Sequence, residues 1–198
     1  MTGRVGEVIE SDSTAFQAQC YRLHEPPALG SLVLVPDGEV AIVGVVSGAG
    51  THSIQAGRRP LARGEDEPSV ESLYASNPQI ERLLMTQFSV QIVGYRNCSA
   101  PGSPMVQRLP ARPPRVHAFV YECEAEEVAA FGESMDFLSI LTGARGPAGD
   151  QLISACLRRM SGASGDGGDF LVRAGKALTA LLAGEPQRLY TLLSGIRP

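Results

Sequence analysis

His24, His52 and His117 are the three histidines of this 198-residue chain, and they supply the imidazoles on which general-base chemistry near neutral pH draws. Ser/His/Asp or Cys/His catalysis would need one of them beside a nucleophile. No spacing in the sequence singles one out. The four cysteines, Cys20, Cys98, Cys123 and Cys156, are dispersed, without a CxxC pair or a nearby histidine couple. Neither a zinc knuckle nor a disulfide framework is indicated, and ordinary reduced thiols are expected. Cys123 follows His117 by six residues, which is about 20 Å along a regular strand. The two therefore do not form a dyad.

Glu122, Glu124, Glu126 and Glu127 have the look of a metal or acid/base cluster. The last two instead sit where a helix begins and meet the positive end of its dipole, and the first two read as solvated edges. No metal and no cofactor is expected. Arg58, Arg59 and Arg63 form the one basic cluster, carried on a glycine-rich stretch, and are the candidate interaction residues. A basic groove with stacking aromatics is how small barrels hold single-stranded nucleic acid. The aromatics available for that role are Phe16, Tyr21, Phe88, Tyr95, Phe119 and Tyr121, several of them at core positions.

The bulk composition narrows the classes. Seventeen basic residues against 21 acidic ones leave a net charge of −4, which disfavours nonspecific binding to a phosphate backbone. No window approaches the roughly 18 apolar residues of a membrane span, and "MTGRVGEVIE" lacks the apolar core of a signal peptide. No membrane insertion and a cytoplasmic location are expected.

The elements that must carry these residues divide at about residue 124. "RVGEVIE", "TAFQAQCY", "SLVLVP" and "EVAIVGVVS" read as four short strands, the second alternating Phe16, Ala18 and Cys20. "PDG" at 36–38 is a hairpin signal. Residues 48–66 read as a long glycine-rich loop. "SVESLYASNPQIERLLMTQ" follows as short helices broken at Asn77-Pro78. "FSVQIVGYR" is a fifth strand. After Pro110, Pro113 and Pro114 have forced an extended approach, "VHAFVYEC" reads as the last, with Val116, Ala118 and Val120 on one face and His117, Phe119 and Tyr121 on the other. Beyond it Val128, Phe131, Met135, Leu138 and Leu141 recur at helical spacing, and two further apolar stripes and a proline-started fourth helix complete a bundle.

Two stretches carry a family resemblance. "RVGEVIESDSTAFQAQC", with "LGSLVLV" and "AIVGVV" after it, resembles the start of the HAS barrel, shared by HerA-type DNA-translocating ATPases and the N-terminal parts of the ATP synthase alpha and beta subunits. "PARPPRVHAFVYECEAEEV" resembles the closing segment of that family, in which a Pro-Pro pair precedes a "VY" strand and an acidic pair. The likeness covers about residues 3 to 128. The tail, with "FLVRAGKALTALL" and the closing "IRP", is similar to that of stand-alone members found in photosynthetic bacteria. In the large relatives a P-loop domain follows, whose GxxxxGK[ST] backbone cradles phosphates. Here "GARGPAGDQL" lacks the lysine and hydroxyl residue, and "RAGKALTA" has no glycine five positions before Gly175-Lys176.

The resemblance and the pattern together imply an α+β chain. Residues 1–124 form a small six-stranded closed barrel with a helical insertion at about 66–86, and residues 125–198 form a helical bundle. A noncatalytic interaction or assembly module is expected, docking on a protein partner, on copies of itself or on a larger ATPase assembly. A nucleic-acid-associated module using Arg58 to Arg63 is the alternative.

Overall fold

Phe16, Ala18 and Cys20 alternate along β2 (Ala15–Cys20), and all three are buried on one side of it, while Gln17 and Gln19 between them face solvent. The same period-2 pattern places Val8 of β1 (Arg4–Ser11) on that inner side. The computed structural model describes residues 3–55, 57, 59–99, 102–143, 146–163, 165 and 167–196. Its strands continue with β3 (Leu32–Asp37), β4 (Val40–Ser53), β5 (Leu84–Asn97), the two-residue β6 (Met105–Val106) and β7 (Phe119–Glu122).

All the pairings are antiparallel. The order β2-β1-β7-β3-β4-β5 is closed by pairing of β2 with β5, which makes a six-stranded barrel, and β6 is added on the outside of β5. Closure leaves the barrel strands without free edges. Val8, Phe16, Val33, Val35, Ile42, Phe88, Val90, Ile92 and Val120 fill the interior.

β3 differs from β2 because it is covered on both sides. Val33 and Val35 point into the barrel, whereas Leu32 and Leu34 join a second cluster outside it. That is why "LVLV" is a continuous apolar run instead of an alternating one. Ala41, Val43, Val45 and Val93 extend the outer cluster, which takes in the buried faces of the C-terminal helices. These are α2 (Ala125–Phe131), α3 (Phe137–Leu141), α4 (Pro147–Ala163), α5 (Gly167–Leu181) and α6 (Pro186–Gly195), with α1 (Val70–Ser76) lying earlier, between β4 and β5. The outer wall of the barrel and the bundle thus share this second cluster, while the barrel interior keeps its own. Gly30 lies at the seam: its φ is +80°, and a Cβ there would be 2.5 Å from the backbone nitrogen of Cys156 in α4.

The two acids after β7 do start a helix. Glu127 accepts the Glu124 backbone N–H at 3.1 Å, and the two residues form a reciprocal capping box on α2. Pro186 opens α6. Arg188 of α6 ties the bundle together, donating to Asp150 of α4 at 2.8 Å and to the Thr142 carbonyl at 3.1 Å.

Two expectations change. Residues 48–53 are strand and not loop: β4 and β5 pair without interruption of the ladder's end from Gly48↔Ser89 to Ser53↔Leu84. Glycine at 48 and 50 weakens the strand signal, and the backbone ladder forms regardless. The last strand is also shorter than "VHAFVYEC". Val116 is exposed, and His117 takes φ 70° in a turn stabilised by donation from the Ala118 N–H to the Arg115 carbonyl. Phe119–Glu122 forms the strand proper between β1 and β3, while His117 and Ala118 bond through their backbones to Val8 of β1 from within the turn.

Candidate interaction site

The outer part of the β4–β5 hairpin carries the insertion, and its local structure follows from capping chemistry. Ser69 accepts the Ser72 N–H at 3.1 Å to start α1, and the Ser72 hydroxyl donates to Glu67 at 2.6 Å. The carboxyl of Glu71, in the first turn, is held below its usual range by donation from its own backbone N–H and from Ser69. Asn77 stops the helix, with its backbone N–H on the Leu73 and Tyr74 carbonyls and its side-chain amide on the Leu73 carbonyl. Pro78 and a single 3₁₀ turn, Glu81–Leu83, lead into β5.

A hydrogen-bonded clamp fixes α1 to the barrel. His24, at φ 64°, donates its backbone N–H to Thr86 Oγ1 at 2.8 Å. Its ring joins Tyr74 Oη at 2.9 Å and Thr51 Oγ1 at 3.3 Å, and the two threonine hydroxyls are 2.8 Å apart. Thr86 is buried, so these bonds replace the water it has lost.

Against this frame lies a cleft of about 220 Å³. It brings Arg59 and Arg63 together with Leu61, Ile80, Leu83 and Leu84. Arg58, the third residue of the predicted basic cluster, lies outside the described residues. Leu61 is 78% exposed, and Ile54 and Leu83 are also exposed. Among the described residues neither Arg59 nor Arg63 has a hydrogen-bond or ion-pair partner. Two cations beside an apolar cleft can engage carboxylates or phosphates while a neighbouring apolar group is buried.

The histidines occupy separate places. His117 Nδ1 is 2.6 Å from Glu7 Oε1, and the Tyr21 hydroxyl donates to the other Glu7 oxygen at 3.1 Å. These bonds, that from His117 foremost, hold the Glu7 carboxyl below its usual range. Cys123 packs on the other side, against the bundle core, and burial pushes its thiol up to about 12. His52 is exposed on β4. The acidic run is dispersed too: Glu122 accepts from Ser31 at 2.8 Å, and Glu127 lies 3.8 Å from Arg96. Among the described residues no group of three metal-ligating side chains converges. Gly175-Lys176 lies within α5, where the amides serve helix hydrogen bonds.

The aromatic pair that the sequence placed on one face of the last strand, Phe119 and Tyr121, gains a cation in the structure that no spacing announced. Arg4 Nε donates to Tyr121 Oη at 3.1 Å, and its guanidinium lies 3.9 Å from the centre of the Phe119 ring. Phe119 and Tyr121 stand two apart on β7 and so share a face, and that alternation was the available signal. Their pairing with Arg4, more than a hundred residues away, was not. Phe16 and Phe88, by contrast, are barrel core and cannot stack on a base.

No protein-family profile and no curated protein sequence matches the chain. Among the described residues no helix is long and apolar enough to cross a membrane.

Proposed function

We propose that this chain is a noncatalytic interaction and assembly module, a HAS-type barrel that docks a protein partner or a further copy of itself through the cleft on the β4–β5 hairpin. The observation that carries the reading is the pair of guanidiniums, Arg59 and Arg63, without a partner among the described residues and flanking exposed Leu61 beside apolar Ile80, Leu83 and Leu84. An apolar anchor ringed by groups that gain charge-assisted hydrogen bonds on contact is how interface energy concentrates. Among the described residues, leucine, isoleucine and proline side chains line the cleft and no aromatic does, which suits a peptide side chain better than a stacked base. Docking on a larger ATPase assembly follows from the likeness to HAS barrels. A reducing, cytoplasmic setting is supported by the four cysteines, which are all free thiols.

Affinity purification of the full chain beside a variant carrying Arg59→Glu, Leu61→Asp and Arg63→Glu tests the proposal, with light scattering on both. Recovery of a specific partner, or of the self-associated form, should fall about tenfold or more in the variant. Equal recovery together with a monomer in both samples would refute the reading. Salt-sensitive binding of single-stranded DNA that the variant loses would transfer the cleft to nucleic acid.

A further inference from the structure

At the opposite end of β4 from the cleft, a cavity of about 540 Å³ opens between the β3–β4 hairpin and the proline-rich segment that crosses beneath it. Its walls are held apart by fixed backbone. Pro110 and Pro113 line one side, their rings locking φ, and the neighbouring Pro114 is buried. Arg115 fastens that segment to the hairpin, its side chain 2.5 Å and its backbone N–H 2.8 Å from the two oxygens of Asp37. On the other side Gly38, at φ 66°, turns the hairpin in a two-residue loop. Ile42 and Tyr95, partners in the β4–β5 ladder, supply the apolar inner wall.

Two charges border this space. Glu39 stands on the hairpin loop and Arg112 on the proline segment, and both line the cavity. Among the described residues neither has an ion-pair or hydrogen-bond partner for its side chain, and they are not paired with each other. Arg115, the other lining cation, is already engaged by Asp37. Among the described residues the lining therefore offers one unpaired carboxylate on the hairpin and one unpaired guanidinium on the proline segment, together with the apolar faces of Ile42 and Tyr95.

We propose that this cavity binds a small zwitterion with an apolar body, a free apolar amino acid or a short apolar peptide. Its ammonium group pairs with Glu39, its carboxylate takes the forked donors of Arg112, and its side chain lies against Tyr95, Ile42 and the proline rings. The volume falls within the range of small-molecule sites, and rigid walls lower the entropy lost on binding.

Backbone amide NMR titration of the full chain tests this, using L-leucine, L-leucyl-L-leucine, N-acetylleucine, which lacks the ammonium, and leucinamide, which lacks the carboxylate. For so small a ligand the dissociation constant should be on the order of 1 mM. The amides of Val40, Tyr95 and Ala111 should move, and the two singly charged analogues should bind about tenfold more weakly than leucine. Glu39→Gln should remove the discrimination against N-acetylleucine alone, and Arg112→Gln that against leucinamide alone. Both residues are exposed, so the variants retain the fold. The relative affinity of leucine and leucyl-leucine identifies which zwitterion the site takes. Equal binding of all four compounds, or no movement of those amides at concentrations on the order of 10 mM, would overturn the proposal.

Discussion

Replacing Gly30 by alanine tests how barrel and bundle are joined. At φ +80° an L-residue costs about 1–2 kcal/mol. The added methyl would also lie 2.5 Å from Cys156 N, 2.6 Å from Ala155 C and 2.9 Å from Cys156 Cα, all backbone atoms of α4 that no rotamer change can move aside. Forced overpacking of this kind costs about a further 1–3 kcal/mol, so the whole penalty is about 2–5 kcal/mol. For a chain of this length that lowers Tm by on the order of 10 °C. Gly38→Ala is the matched control, since Gly38 has φ +66° and nothing within 4 Å of its added Cβ. It should show the conformational cost alone, about 1–2 kcal/mol. Thermal and urea unfolding followed by circular dichroism would measure both. If Gly30→Ala is no more destabilising than Gly38→Ala, α4 does not pack on the barrel as described.

The thiols and one carboxylate give further tests. Burial pushes Cys156 up to about 12 and Cys20 up to about 11, so a disulfide reagent at neutral pH should label exposed Cys98 first and the others only on unfolding; early labelling of Cys156 in native protein would contradict its burial. The Glu7 carboxyl is held below its ordinary 4.5, mainly by hydrogen bonding with His117. A lowered folded-state pKa gives stability that is present above 4.5 and is lost as pH falls through the lowered value. The stability gap between wild type and Glu7→Gln should therefore close on acidification below about pH 4, as read from urea midpoints. A gap that is unchanged by acid would remove the Glu7–His117 contact from the account.

Much of this molecule was legible because it is local. The inward residues of β2, the PDG hairpin, the proline stop after α1, the capping box at Glu124 and the apolar stripes of α2 to α6 each express a rule that acts within a few residues. These fixed the class, a small barrel followed by a helical bundle. Other features are set between distant segments and leave no local mark. β4 continues to Ser53 because β5 supplies the ladder, overriding the poor strand propensity of Gly48 and Gly50. β7 ends up with four residues because the Arg115–Asp37 tie and the turn at His117 use the residues before it. Arg59 and Arg63 line one cleft because the segment after α1, with Gln79, Ile80 and Leu83, lies against the end of β4 and the start of β5. A linear pattern states which side of an element is apolar, but which charges then stand beside one another, and which stay unpaired, depends on what the other elements cover.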